Sequence, residues 1–211
     1  MLPLLGRFRR ERNGLAADMM RYYGKRYGLN YGVSLPTVRM VAADEAADHD
    51  FARYLYGQDV RCLQLVALHL ADPARLSQAD ELRFWMEGLR NSELAEEAAF
   101  VLFRRIEGLE SISSTTTLET YALLMAAARQ ESPSVNWIDR SLDELRRVAA
   151  DERVEGYELS LLVQATTVLW ARLMGCSDAH RSAVADALKG LGASSWEEQL
   201  GEELSWRFDY Q

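Results

Sequence analysis

The chain of 211 residues carries 24 lysines and arginines against 32 aspartates and glutamates, a net charge of −8, and 48% of its residues are hydrophobic. This is the composition of a globular protein with one sizeable apolar core. A bilayer-spanning helix needs an apolar run of roughly 18 residues; the sequence has none, so a cytoplasmic protein without a membrane partner is expected.

The cysteines and histidines are scattered. Cys62 and Cys176 stand far apart without a CxxC spacing, and the three histidines form no cluster with them. This spacing indicates reduced cysteines and predicts no metal site. A Gly-rich phosphate loop and a GxSxG motif are also missing, which argues against a metabolic enzyme and its cofactors. No cofactor is therefore predicted.

The charge is unevenly distributed. Residues 1–40 contain eight basic and two acidic side chains, a net charge of +6, which leaves 16 basic and 30 acidic ones, a net charge of −14, in the remainder. Attraction to a polyanion would therefore come from the N-terminal part. Nearly all these cations are arginines, which suit bidentate phosphate contacts and equally suit salt bridges between helices. Solvated helix faces remain the alternative.

Blocks with apolar residues at spacings of three and four follow one another along the chain and predict successive helices. Gly108 and the Ser/Thr-rich segment 111–117 form the clearest internal linker, and Thr116 to Glu119 fits a capping box. The block 156–174 is the most apolar and is predicted to be buried centrally. The predicted helices cover residues 13–27, 35–47, 51–57, 59–72, 80–89, 92–105, 117–129, 138–148, 156–174, 178–190 and 195–206.

No block shows the period-two alternation of a strand. Short turns between helices imply antiparallel neighbours, and a pair-to-pair spacing of about 35–45 residues is typical of helical repeats. The sequence therefore predicts an all-α protein in which antiparallel helix pairs stack as a HEAT-like repeat superhelix, an ARM/HEAT-type α-solenoid, within a single domain over residues 1–211. An orthogonal bundle without repeats is the alternative.

Between about residues 15 and 105, the sequence has Gly32-Val33 followed by Pro36 and, later, an amphipathic helix from Asp59 to Leu70. In these features the segment resembles the AlkD-like DNA alkylation-repair proteins. This resemblance implies a HEAT-like repeat DNA glycosylase that holds duplex DNA in a concave basic groove and hydrolyses the N-glycosidic bond of N3- or N7-alkylated purines. One carboxylate and aromatic faces can suffice there, because the alkylated base leaves readily and only the cationic sugar needs stabilising. The matching positions are Tyr22, Gly32, Val33, Pro36, Arg39, Leu55 and the helix from Asp59 to Leu70.

The family's motif Asn-Trp-Asp-x-x-Asp at a helix start matches residues 91–96, Asn-Ser-Glu-Leu-Ala-Glu. The resemblance therefore assigns the catalytic carboxylate to Glu96, with Glu93 as the runner-up. It assigns contacts with the lesion or sugar to Asn91 and, through a Trp-Ala pair in a later helix, to Trp170. A structural interpretation stays open, in which Asn91 caps the helix, its glutamates favour the positive N-terminus, and Trp170 belongs to the core.

Two departures from the family pattern weigh against excision. Ser92 replaces an aromatic residue, and Glu119 stands near a position where the family has a pair of arginines. Glu93 and Glu97 are expected on the outward face of their helix. The sequence thus allows two functions: a divergent DNA alkylation-repair-like protein, or a catalytically inactive helical-repeat scaffold that binds a protein partner.

Seven cations are the candidates for a nucleic-acid-binding face. Four of them belong to the basic N-terminal part, and two end the helix that follows Asn91. The sequence is expected to contain no aromatic-interleaved basic run of the kind that binds single strands. The candidates are Arg21, Lys25, Arg26, Arg39, Arg61, Arg104 and Arg105.

Overall fold

The computed structural model describes residues 1–154 and 156–209, with side chains described as far as Ser205. Within these ranges the chain is helical, and its extended backbone pairs only in an isolated bridge between Leu29 and Val60. Three short 3-10 segments accompany the α-helices, at Pro73–Ser77, Phe103–Arg105 and Leu109–Ser111. The α-helices are α1 (Leu2–Arg10), α2 (Gly14–Tyr22), α3 (Leu35–Ala43), α4 (His49–Tyr56), α5 (Arg61–Leu70), α6 (Ala79–Glu87), α7 (Ser92–Val101), α8 (Thr117–Ala127), α9 (Trp137–Ala149), α10 (Gly156–Met174), α11 (Asp178–Lys189) and α12 (Ser195–Asp209). The all-α prediction is confirmed.

The chain divides into two compact units, a first unit of Met1–Glu107 and a second unit of Gly108–Gln211. The division falls at Gly108, whose backbone has φ +67°, a left-handed conformation that glycine adopts at little cost. Gly108 also belongs to the clearest internal linker in the sequence. The single domain over residues 1–211 stays a prediction.

Helix α5 forms the centre of the first unit. Nine of its ten residues are buried, and it contacts α1, α3, α4 and α7. Leu63, Leu65 and Leu68 are each almost fully excluded from solvent, which stabilises the fold by about 1.5–3 kcal/mol for each side chain. Because α5 is enclosed on several sides, its polar residues must find partners inside the unit.

Helix α10 has the same role in the second unit. It spans the predicted range and contacts α8, α9, α11 and α12, as a central buried helix should. Trp170 lies on this helix with no exposed surface, and its indole Nε1–H donates to Ser141 Oγ over 2.9 Å. This hydrogen bond joins α10 to α9.

Helix starts follow the sequence closely. The side chains of Asn13, Ser34, Asp48, Asn91 and Thr116 each accept a hydrogen bond from a backbone N–H in the first turn of their helix. Each such cap contributes about 1 kcal/mol. The carboxylate of Glu119 also accepts from the N–H of Thr115, one residue before the cap residue whose N–H a capping box uses.

Two elements at the N-terminus differ from the predictions. Helix α1 was not predicted, although Leu4 and Phe8 lie four residues apart and are both buried. Helix α2 ends at Tyr22, five residues early, because Gly24 takes φ +80° and turns the chain.

None of the described helices is both long enough and apolar enough to cross a bilayer.

Candidate nucleic-acid interface

Arg61 and Glu93 form a buried ion pair inside the first unit. Arg61 is completely buried, and its Nε and Nη2 donate to the two oxygens of Glu93 over 2.8 and 2.6 Å. Its Nη1 donates to the carbonyl oxygen of Val33 over 2.6 Å. The guanidinium therefore joins α5 to the start of α7 and to the segment before α3, and it has no surface to offer a phosphate.

Tyr27 completes this network. Its hydroxyl donates to Glu93 over 2.7 Å and to the side-chain oxygen of Asn91 over 3.2 Å. Burial and the negative charge of Glu93 raise the pKa of Tyr27. Burial alone would raise the pKa of Glu93, but the hydrogen bonds and charge of Arg61 outweigh it and lower that pKa. Glu93 is therefore a carboxylate whose charge is balanced within the fold.

A second internal carboxylate lies one turn further along α7. Glu97 is 2% exposed, and its two oxygens accept from Nε and Nη2 of Arg39 over 2.9 and 2.6 Å. His69 Nε2 donates to the same carboxylate over 2.7 Å. Burial would raise the pKa of Glu97, yet hydrogen bonds from Arg39 and His69 lower it to about 2.

Glu93 and Glu97 thus face inward, and their predicted outward orientation is wrong. They lie four residues apart, so both fall on the face of α7 that meets α5. Glu97 and His69 were not identified from the sequence as site residues. The signal in the sequence that could have identified Glu97 is its spacing of four residues from Glu93, which places the two carboxylates side by side on one helix face.

The remaining candidates for a lesion site lie in different environments. Asn91 caps α7, its side-chain oxygen accepting from the N–H of Leu94, while its amide nitrogen is buried without a partner among the described residues. Glu96 is exposed on the surface of α7. Trp170 has no accessible surface with which to contact a ligand. Their assignment to a lesion site stays a prediction.

Apart from Arg7 and Arg39, which form ion pairs, the cations of the N-terminal part are largely free of carboxylate partners among the described residues. Within the described residues, no acidic group lies within ion-pair distance of Arg10, Arg12, Lys25 or Arg26, and Arg21 has only a loose contact of 3.7 Å with Asp18. All these side chains are exposed except Lys25, which is half-buried.

Arg9 adds a further exposed cation, whose Nε donates to the hydroxyl of Tyr31 over 3.1 Å. These cations lie at the two ends of α2, and we call them the N-terminal basic segment: Arg9, Arg10, Arg12, Arg21, Lys25 and Arg26. Three of them were not among the candidates from the sequence, although the charge count had included them.

Two other candidate cations are exposed elsewhere in the first unit. Arg104 and Arg105 lie on the 3-10 segment after α7, and the guanidinium of Arg104 is 5.9 Å from the centre of the Phe100 ring. Arg39 is 5.0 Å from the same ring, but its guanidinium is committed to Glu97. Arg39 and Arg61 are therefore occupied by internal partners.

A solved structure shares this arrangement of helices. It superposes with a TM-score of 0.68 and 14% sequence identity over 97% of this chain and 94% of its own length. It represents a family described as related to the HEAT-like repeat DNA glycosylases, with affinity for branched DNA structures. No protein-family model and no curated protein sequence matches the chain. The chain therefore has the HEAT-like repeat fold, the same fold as that relative of the DNA glycosylases.

Proposed function

We propose that this chain is a DNA-binding protein that contacts phosphates through the N-terminal basic segment, accepts branched DNA, and does not excise bases. The observation that carries the proposal is the segment itself. Six cations lie over residues 9–26, nearly all without a carboxylate partner in the part of the chain that the structure describes, and the remainder of the sequence is acidic. The affinity for branched DNA of the family with the same fold supports extending the proposal to branched substrates.

The arrangement of the segment fits a DNA backbone. Arg9, Arg10 and Arg12 precede α2, and Arg21, Lys25 and Arg26 lie at its end and beyond. Gly14 and Tyr22 are eight residues apart, which at 1.5 Å per residue separates the two clusters by about 12 Å. Successive phosphates rise 3.4 Å along one strand, so the two clusters can reach phosphates about three to four nucleotides apart.

The carboxylates of α7 support binding without excision. Glu93 and Glu97 each have a guanidinium on both oxygens, so their negative charge is already neutralised. A neutralised carboxylate does not stabilise the cationic sugar that forms during base excision. Glu96 is exposed, and in water two unit charges at about 4 Å attract by only about 1 kcal/mol. Stabilising a sugar cation requires a carboxylate that is both desolvated and unpaired, and none of these three glutamates is both.

Fluorescence anisotropy with labelled duplex and three-way-junction DNA at about 50 mM salt tests the proposal, because phosphate contacts are strongest at low salt. The Arg10→Gln/Arg12→Gln variant should bind both DNAs roughly tenfold or more weakly. The Arg147→Gln/Arg153→Gln variant makes the same change in net charge on exposed residues of the second unit and should bind like the unaltered protein.

Two outcomes would contradict the proposal. Equal losses in the two variants would show that net charge alone acts, and no detectable binding at this salt concentration would leave the protein-binding scaffold as the function. Excision is tested separately on methylated DNA. Release of 7-methylguanine that disappears in Glu96→Gln would overturn the non-catalytic part.

A further inference from the structure

The apolar face of α2 points into solvent. Leu15 is 75% exposed, Met19 46% and Tyr22 81%, and they recur at the spacing of one helix face. Ala17 is the single residue of α2 that is buried among the helices of its unit. A stripe of this kind normally covers a core. Here it is left uncovered in the described structure, which is the property of a binding surface.

The N-terminal end of α2 is held to its unit by close backbone contacts. The N–H of Asn13 donates to the carbonyl of Tyr31 over 2.8 Å. Gly32 adopts φ +67° with its backbone so close that a Cβ would lie 1.8 Å from the carbonyl oxygen of Asn13. The helix is thus held at its start by backbone contacts, and its other end, with Tyr22, projects outward.

Two tyrosines stand together at that outer end. The rings of Tyr22 and Tyr23 pack edge to face, with centroids 5.2 Å apart and planes at 84°, and Tyr23 is 69% exposed. Arg21, Lys25 and Arg26 flank them, and residues 21–26 contain no acidic side chain. Residues 21–26 therefore form an aromatic-interleaved basic run, contrary to the expectation that the chain has none. We call these five residues the α2 platform.

We propose that the α2 platform stacks its tyrosine rings on unpaired bases of branched DNA while its cations hold the adjoining phosphates. This inference rests on the proposed function and names the part of the DNA that is recognised. Bases within a duplex are stacked on their neighbours and expose no face, whereas unpaired bases at a branch do. Proteins bind single strands without sequence preference by stacking bases on aromatic side chains and contacting the nucleic-acid backbone with cations.

The charge of the platform argues against a second copy of the chain as its occupant. A two-fold symmetric dimer across this surface would bring the cationic patch of Arg21, Lys25 and Arg26 against the same patch of the second copy. DNA with unpaired bases supplies phosphates for the cations and base rings for stacking on the tyrosines.

The test compares a three-way junction that carries unpaired bases at the branch with a duplex of equal length. In anisotropy titrations at about 100 mM salt, the Tyr22→Ala/Tyr23→Ala variant should bind the junction roughly 10- to 100-fold more weakly and the duplex with little change. The Tyr22→Phe/Tyr23→Phe variant keeps the rings and should retain junction binding. Tyr157→Ala, which removes a 58% exposed tyrosine from the second unit, is the matched control.

The outcomes separate this inference from the proposed function. If the unaltered protein binds DNA but the alanine pair loses nothing, or loses equal affinity for duplex and junction, the stacking role is wrong and DNA binding stands. If the unaltered protein binds no DNA, the proposed function fails first. Self-association that the alanine pair abolishes, measured by sedimentation, would assign the platform to a second copy. Unchanged thermal unfolding of the alanine pair checks that the exposed rings do not support the fold.

Discussion

Replacing Arg61 by methionine should destabilise the first unit strongly. The arginine neutralises a carboxylate that, among the described side chains, has no other cation within hydrogen-bonding distance. Glu93 is 9% exposed and receives two hydrogen bonds from the guanidinium, and a third goes to the carbonyl of Val33. Methionine has a similar length and leaves no large cavity. The loss of unfolding free energy in this variant therefore reports mainly the electrostatic contribution of Arg61.

The expected loss of unfolding free energy is about 3–5 kcal/mol, the usual cost of removing one partner of a buried ion pair. Replacing both members, as Arg61→Met/Glu93→Leu, removes the unpaired charge and should recover most of that loss. Glu93→Leu leaves Arg61 unpaired and should cost a similar amount. The coupling energy, which is the sum of the two single losses minus the loss in the double variant, should therefore be at least about 3 kcal/mol. This is a large share of the stability of a domain, which is typically about 5–15 kcal/mol.

Urea unfolding followed by circular dichroism gives the four free energies of this double-mutant cycle. The matched control is the pair of Arg90 and Asp59, whose side chains are 3.8 Å apart and 59% and 50% exposed. Its coupling should be below about 1 kcal/mol. A coupling for Arg61 and Glu93 no larger than that of the control would refute the reasoning. If Arg61→Met folded normally but lost DNA binding, the sequence-based assignment of Arg61 to a phosphate contact would be correct.

Three further perturbations follow from the structure. The folded-state pKa of Glu97, about 2, lies below its ordinary value of 4.5, so its carboxylate contributes stability above about pH 4.5 that is lost as the pH falls towards 2. Urea unfolding should show the advantage of the unaltered protein over Glu97→Gln shrinking between those pH values; a constant difference would contradict the lowered pKa. Gly32→Ala should lower the melting temperature by several degrees, because a Cβ there meets the carbonyl of Asn13 at positive φ; an unchanged melting temperature would contradict this close approach. Trp170→Phe should cost about 1–3 kcal/mol in urea unfolding by removing the donor to Ser141, and DNA affinity should stay the same; weaker DNA binding with intact stability would support the predicted lesion contact.

Features fixed by neighbouring residues could be predicted from the sequence. The caps at Asn13, Ser34 and Asn91 depend on a side chain and a backbone N–H three residues later, and both are visible in the sequence. The bounds and central position of α10 follow from its length and its apolar circumference. In each of these features the residues that determine it are close to one another in the sequence, so local chemistry decides it.

Side-chain partners across helices could not be predicted in the same way. Glutamate on a helix is usually exposed, so Glu93 and Glu97 were expected to face outward. Their inward position depends on Arg61 and Arg39, which lie 32 and 58 residues away in the sequence. No pattern within α7 reveals that a guanidinium from another helix will meet them.

The surface of α2 shows the opposite error. The stripe of Leu15, Met19 and Tyr22 has the spacing of a buried face, yet these side chains are exposed. The close backbone approach of Gly32 to Asn13 holds the start of α2 and sets the direction of this helix. Hydrophobic periodicity identifies a face, but only tertiary contacts determine whether anything covers it.

The salt dependence of DNA binding tests the central claim most directly. If the six cations of the N-terminal basic segment each neutralise a phosphate, the plot of log Kobs against log salt concentration for duplex DNA should have a slope of about −5. The Arg10→Gln/Arg12→Gln variant should make that slope shallower by about 2. A slope that is near zero, or that stays unchanged in this variant, would contradict the claim that this segment binds DNA.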